Sequence, residues 1–503
     1  MSAANTDFVC TGESYRCPTT IDMLTGDVLL DIFVFYRNNH DYSLRLVWEW
    51  DLLAHVCRKW RQIIFESPHR LNLQILCTHK TPVMKNLGIW PAFPLVIDYN
   101  YSYSRATDNV IAALGHPDRV CYVKLTVTDS QLAPMAALML ERFPLLTHLY
   151  IYSEDRSAPV FTTEFLGGSA PRLQELGLSG ISYPALPRLL LSASGLVTLR
   201  LHNISAIGYI SPETVVRCLA ALPQLETLIV GFRASYRPSL SDPFDSTSFF
   251  SSLTASSPDS LSDQILPPLV TQKIVLPALT DFQFKGGFDY LEDIIPHIDC
   301  PRLEDITIEC LYQYEDLEVA RLSKFIDRSV GPFSHAYVSL LSSRLAFNLD
   351  RHANHKGWGR HTDGTSISFA MAESHVFEMT QVLSQFSVAF STIIHLELKV
   401  KVKVFIEEST SNVDWLHLLR QFPAMQMLYV SREHARVIAL ALEDIKAEMV
   451  AEELPSLALI CLEGQPASFV EKFEFVAARR LTDHPVTVVD TRNEFDKKTR
   501  VLP

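Results

Sequence analysis

Nowhere does this chain of 503 residues hold an apolar run approaching the roughly 18–20 residues that a membrane-spanning helix requires. No bilayer crossing is expected. Positive charge is also in short supply, with 44 Lys and Arg against 57 Asp and Glu and a formal net charge of −13. That balance argues against a large nucleic-acid footprint, which needs a clustered basic face, and against adhesion to an anionic membrane. The first residues, MSAANTDFVCTGESYRC, carry neither a basic start nor an apolar stretch, so no secretory signal is expected. Cysteine is sparse and odd in number: nine, scattered, never in a CxxC pair. Reduced thiols fit that usage better than a disulfide framework. Together these absences predict a soluble protein of the cytoplasm or nucleus, with no nucleic-acid or membrane partner.

Recognisable chemistry is equally scarce. No GxSxG, Walker, HExxH or EF-hand pattern occurs, and no Gly-rich phosphate loop follows an early strand. GLSGI, Gly177 to Ile181, falls one residue short of a nucleophile elbow. RHANHKGWGRH gathers His352, His355 and His361 beside Trp358, but without the Cys or acidic ligand that would complete a metal site. Cys57 is flanked by Arg58 and Lys59, which would favour a thiolate, yet its place on an apolar face predicts a buried core thiol. Glu452 and Glu453 adjoin on a polar turn, as a charged surface. The expectation is a protein without catalytic residues, metal or cofactor. A hydrolase built on the histidines near His352 is the remote enzymatic alternative.

Hydrophobic residues make up 48% of the chain, enough for a folded protein, and its length exceeds what one compact core usually holds. The opening block comes first. GDVLLDIFVFY, Gly26 to Tyr36, sets Leu29, Ile32, Phe33 and Tyr36 at helical spacing. After the polar loop RNNHDYS, WEWDLLAHVCRKW repeats the spacing with Leu53, Val56, Cys57 and Trp60, and Ile63, Ile64 and Phe65 extend it to Ser67 and Pro68. Arg58, Lys59 and Arg61 suit the C-terminal end of such a helix. Some fifty residues barely bury this much apolar surface alone, so another domain or another protein must cover part of it.

Beyond residue 115 a degenerate phrase recurs, LxxLxL in outline: VCYVKL, LTHLYI, LQELGL, LVTLRL, LETLIV, LTDFQF, LEDITI, IIHLEL, MQMLYV and LALICL. The first five copies start 23–29 residues apart, the spacing of leucine-rich repeats. A later interval of 54 reads as about two periods, and one of 90 leaves room for about three, with HAYVSLL and SISFAMA as weaker strands. In LxxLxL the last two apolar residues alternate with an outward one, so a short strand turns one face to a core. Amphipathic helices lie between. In QLAPMAALMLERF, Leu132, Met135, Ala136, Met139, Leu140 and Phe143 share a side. In SPETVVRCLAAL, Ser211 caps, Pro212 opens the helix, and Val215, Leu219 and Leu222 face inward. EHARVIALALEDIKAEMV places Ile438, Ala441, Leu442, Ile445 and Met449 alike, and a final helix and strand are expected around Phe469–Ala478 and Val486–Val489. The Ser-, Pro- and Asp-rich stretch at about 233–269 reads as an inserted surface loop whose hydroxyls could accept phosphate.

IDMLTGDVLLDIF followed by VCRKWRQIIFESPHRL resembles an F-box, in the form common in mushroom-forming fungi, where a polar loop parts the helices. Leu24, Val28, Leu29, Ile32, Phe33, Val56, Cys57 and Trp60 match its pattern; Thr25 stands where the family usually has proline, losing a residue with fixed φ at the helix start. The closing segment is similar to that of the same fungal proteins. The resemblance implies that the opening block docks through Leu24, Val28, Leu29, Ile32, Phe33, Val56 and Trp60 onto the Skp-type adaptor of a cullin–RING ubiquitin ligase.

The expected architecture is α/β: a flexible N-terminus at 1–18, a small all-α F-box-like domain at 19–68, and an irregular leucine-rich-repeat solenoid at 69–503. A protein target would meet the concave strand face at Lys124, Tyr150, Tyr152, Arg200, His202, Gln283, Lys285, Glu397, Lys399 and Tyr429, with Thr307 and Glu309 in equivalent places. Tyr and Arg are favoured at protein interfaces. The expected function is a non-catalytic substrate adaptor. Its rival is a stand-alone leucine-rich scaffold with the helices as an N-terminal cap.

Overall fold

The computed structural model describes residues 21–38, 49–80, 83–104, 106–154, 159–233, 273–311, 317–341, 344–351, 364–370, 376–401, 412–431, 435, 438, 454–462 and 486–490. The candidate histidines near His352, most of the 233–269 stretch, Glu452 and Glu453, and the helix expected around Phe469–Ala478 lie outside them.

Three short helices open the described chain: α1 (Gly26–Asn38), α2 (Glu49–Val56) and α3 (Arg58–Glu66). The second predicted helix is thus two, broken at Cys57. This residue is extended (φ −157°, ψ 172°), and its sulfur accepts a 3.4 Å bond from the Trp60 amide. A half-buried thiol caps α3, where a buried core thiol was expected. Leu29, Leu30, Phe33, Ala54 and Ile64 fill the space between the helices. The Phe33 and Trp60 rings meet at 4.8 Å, and Lys59 Nζ donates to the Leu24 carbonyl at 3.0 Å. The block continues into the next core, since Phe65 packs edge-on against Trp90 at 5.4 Å and tilted against Phe93 at 5.8 Å.

Then the repeats begin. Strands β1 (Ile75–Cys77), β2 (Leu95–Asn100), β3 (Val120–Val127), β4 (His148–Ser153), β5 (Glu175–Ser179), β6 (Thr198–Ile204) and β7 (Thr227–Phe232) pair in parallel, each with the next. Four of the intervals between them carry α4 (Val83–Ile89), α5 (Asp108–Leu114), α6 (Asp129–Leu138) and α7 (Leu186–Ser192). The next helix, α8 (Pro212–Ala220), starts as its sequence predicts: the Ser211 hydroxyl accepts from the Thr214 amide at 3.3 Å, with proline at the first position. Leu132 and Met135 in α6 and Met139 just after it are buried, but Leu140 turns outward. The carbonyls at its end are met by a neighbouring turn: the amides of Leu166 and Gly167 donate to Met139 and Leu140 at 2.7 and 3.1 Å. That turn stays left-handed through Leu166, Gly167 and Gly168. A Cβ at Gly167 would lie 2.4 Å from the Arg142 side chain, so only glycine fits there.

Two expectations about the gaps change. β8 (Ile274–Val275) pairs with β10 (Ile298–Asp299) in a separate ribbon, while β7 pairs directly with β9 (Asp281–Gly286). The interval of 54 therefore adds no repeat to the main sheet. After β11 (Asp305–Cys310), the long gap does hold three strands, β12 (His335–Leu341), β13 (Arg344–Asp350) and β14 (Thr365–Ala370). They enter in reverse order, β11–β14–β13–β12, and β13 is antiparallel to both neighbours. Its sequence, RLAFNLD, alternates as an ordinary strand should, so nothing local marked its direction. Parallel pairing resumes through β15 (His395–Lys401), β16 (Met427–Val430), β17 (Leu459–Leu462) and β18 (Thr487–Asp490), the last near its expected place.

The result is a 16-stranded, mostly parallel sheet with helices against one face: an α/β solenoid of leucine-rich-repeat type. Alternation fills its core. Val123, Leu125 and Val127 are fully buried, while Tyr122, Lys124 and Thr126 between them are half-exposed. One apolar cluster runs from Leu29 to Val488, as stacking of repeats that cannot bury their faces alone requires. Among the described residues, no helix is long and apolar enough to cross a membrane.

Candidate interaction surfaces

Among the described residues, two surfaces offer themselves to other molecules. The first is on the opening block. Helix α1 has two apolar faces where the sequence suggested one. Leu29 and Phe33, at 0% and 1% exposure, turn inward and build the block, so a partner cannot touch them in this conformation. Val28, Ile32, Phe35 and Tyr36 stand outward at 44%, 40%, 67% and 38%. Their spacing of i, i+4, i+7 and i+8 aligns them in one stripe. Leu52 and Val56 on α2 are exposed as well, at 65% and 59%, while Leu24 and Trp60 are half-buried against the core. Val28, Ile32 and Val56 thus stay accessible among the residues singled out by pattern; Phe35 and Leu52 were missed. A second apolar period on α1, offset from the first, was the signal that could have found Phe35.

The second surface is the sheet face away from the helices, where strand register builds continuous rows. One row runs Asp98, Lys124, Tyr150, Gly177, Arg200, Ile229, Gln283, Thr307. It passes through the antiparallel seam by Ser366, Asn348 and Tyr337 to Glu397, Tyr429 and Cys461. The predicted residues of the open face therefore do share one side. A parallel row sets Tyr152 beside Ser179 and His202. Lys285 and Glu309 are likewise paired, and Lys399 lies opposite Ser339.

They differ in what they can offer. Tyr150 is only 8% exposed. Its ring lies over the bare backbone of Gly177, where a Cβ would come within 2.4 Å of it, and its hydroxyl donates to Glu175. His148 approaches the same carboxylate at 3.5 Å, and the Tyr122 ring lies 5.4 Å from His148 and 6.2 Å from Tyr150. Tyr152 stacks parallel to Tyr150 at 6.4 Å. Tyr122, His148 and Glu175 belong to a row two residues earlier, which the period of two could have revealed. Burial, with the nearby Asp98, Glu175 and Tyr152, pushes the Tyr122 phenol up to about 12. Burial also raises Asp98, against the pull of Lys124 across the rung. Lys285 and Arg344 both reach Glu309, at 2.9 and 3.3 Å, and Arg344 also donates to Ser368 at 2.7 Å. Both cations there are thus already paired.

Arg200 is different. It is half-buried, its Nε is shut off from solvent without an acceptor, and its side chain makes no hydrogen bond or ion pair with any of the described residues. Tyr152, His202 and Asp281 feel its charge without a hydrogen bond or ion pair to it. Burial and Arg200 together lower His202, which favours its neutral form.

No group of three or more His, Cys, Asp or Glu side chains close enough to hold a metal occurs among the described residues. No family model matches the chain, and no curated protein matches it. Among solved structures, similarity extends to one described as the crystal structure of a TLR13–ssRNA13 complex, with 13% identity and a TM-score of 0.31. The likeness covers 77% of this chain and 45% of that one, so this chain spans less than half of its length. The solenoid class stands on strand pairing and repeat spacing.

Proposed function

We propose that this protein is a non-catalytic substrate-recognition adaptor of a Skp–cullin–F-box ubiquitin ligase. The opening block docks onto a Skp-type adaptor, and the open sheet face holds a protein target. The supporting observation is the outward stripe Val28, Ile32 and Phe35, a row of large apolar side chains that the chain leaves uncovered where the F-box resemblance falls. Covering a few half-exposed side chains contributes only on the order of 3–5 kcal/mol. Losses on association offset much of that, so Leu52 and Val56 would be covered in the same interface.

The test is co-purification of the intact chain with a recombinant Skp-type adaptor. Binding that is lost in Ile32→Asp and Phe35→Asp, with unchanged melting, supports the reading. Failure of the intact chain to bind overturns it. The stand-alone scaffold is then left, and the packing of Phe65 on Trp90 and Phe93 favours that second reading, because it makes the block a cap for the solenoid.

A further inference from the structure

Arg200 stands near the middle of the β1–β11 run, on the face away from the helices, between Gly177 on β5 and Ile229 on β7. Neither neighbour in its row offers a side-chain acceptor. A guanidinium carries five donors and stays charged, so removing part of its water without replacing those bonds is costly. Elsewhere on this face several charged side chains do find partners. Lys285 and Arg344 share Glu309, and Glu175 takes His148 and the Tyr150 hydroxyl. Asp281 comes near enough to be influenced by Arg200 but does not close to an ion pair. Its own hydrogen bonds from Gln283, at 3.1 and 3.2 Å, hold it where it is.

We infer that Arg200 is the anchor of a polypeptide-binding subsite that takes the carboxylate of an Asp or Glu side chain from the bound partner. Of the Arg200 guanidinium only Nε is enclosed without an acceptor, and a planar carboxylate arriving on the open face can accept two parallel bonds from a guanidinium. His202, two residues along the same strand, and Tyr152, two strands away in the row of His202, supply apolar surface with hydrogen-bonding tips. The charge count selects the anion. One guanidinium without an ion pair balances one carboxylate, whereas a doubly charged phosphate would leave a negative charge unmatched beside Asp281. This inference rests on the open face being the target-binding surface proposed above, but not on the ligase connection.

A display library of random unphosphorylated peptides, selected on the immobilised full chain, reads it. The selected peptides should share an Asp or Glu. Replacing that acid by Asn or Gln should weaken binding about tenfold or more, and Arg200→Gln should remove the preference while leaving the melting temperature unchanged. Lys285→Gln, at a cation already paired, should leave the preference intact. A library that yields no binders, selected peptides without a common acid, equal binding by Arg200→Gln, or tighter binding of the matching phosphoserine peptide each overturns the assignment. Adaptor co-purification is scored separately. Its failure with the acid preference intact removes the ligase reading and leaves the subsite.

Discussion

Tyr150 and Gly177 show how closely neighbouring repeats are fitted at the level of single atoms. The tyrosine lies down because its partner across the rung has no side chain, and its hydroxyl then finds Glu175. Gly177→Ala should therefore cost roughly 1–3 kcal/mol, the price of overpacking a contact with little room to give. Thermal unfolding of the variant measures that loss. A near-zero change would mean that the ring swings out freely. Composition could place Tyr150 on the correct face, since the alternation in LTHLYI is plain. It could not foresee that the residue is covered, because the empty space belongs to Gly177 in the next repeat. Cys57 teaches the same lesson. Its apolar setting suggested a core thiol, while the break that makes it a cap comes from the local backbone of α2 and α3.

At the scale of the element, α1 carries two jobs on one cylinder. The spacing that predicted the helix joins Leu29 and Phe33, which turn inward, with Ile32 and Tyr36, which turn outward, so a single hydrophobic period could not tell the two faces apart. Leu29→Asp buries a charge at a fully enclosed site and should lose about 3 kcal/mol or more. Ile32→Asp, on the outward stripe, should leave stability within about 0.5 kcal/mol. Denaturant titration of the two variants separates them, and equal losses would show that the stripe is covered in solution. Strands were easier to read than helices. LxxLxL locates β3 to β7, β9, β11 and β15 to β17, because half-buried strands leave an alternating trace. β2, LVIDYN, lacks the leading leucine and escaped. The direction of β13 is decided by what it pairs with, and no residue within it records that.

At the scale of the whole molecule, burial acts on the enclosed cysteine thiols. It pushes Cys77, Cys218 and Cys300 up to about 12, from 9.0 for a free thiol. The sign follows from proton linkage: the folded chain keeps protons that the unfolded chain loses above pH 9.0. The associated stability is complete below that value and drains away as pH rises toward about 12. Urea midpoints should thus fall between about pH 8 and about pH 11, and fall less in Cys218→Ala. A flat profile would contradict the burial of these thiols. The tyrosines raised by burial, Tyr122 among them, drain stability in the same direction.

The reversed trio β14–β13–β12 has a further consequence for the chain as a whole. To reach β12 from β11, the helix Ala320–Ser329 must pass over the places of β14 and β13; to reach β15 from β14, the segment holding Ser387–Phe390 must pass over β13 and β12. Gln385 fastens one passage to the other, accepting from the Val319 amide at 2.7 Å and donating to the Leu317 carbonyl at 3.1 Å. The two runs are therefore joined as timbers are in a lap joint, each extending past the other before it stops. An ordinary solenoid can be sawn between any two repeats, but here no single cut between Leu317 and Phe390 leaves both pieces whole.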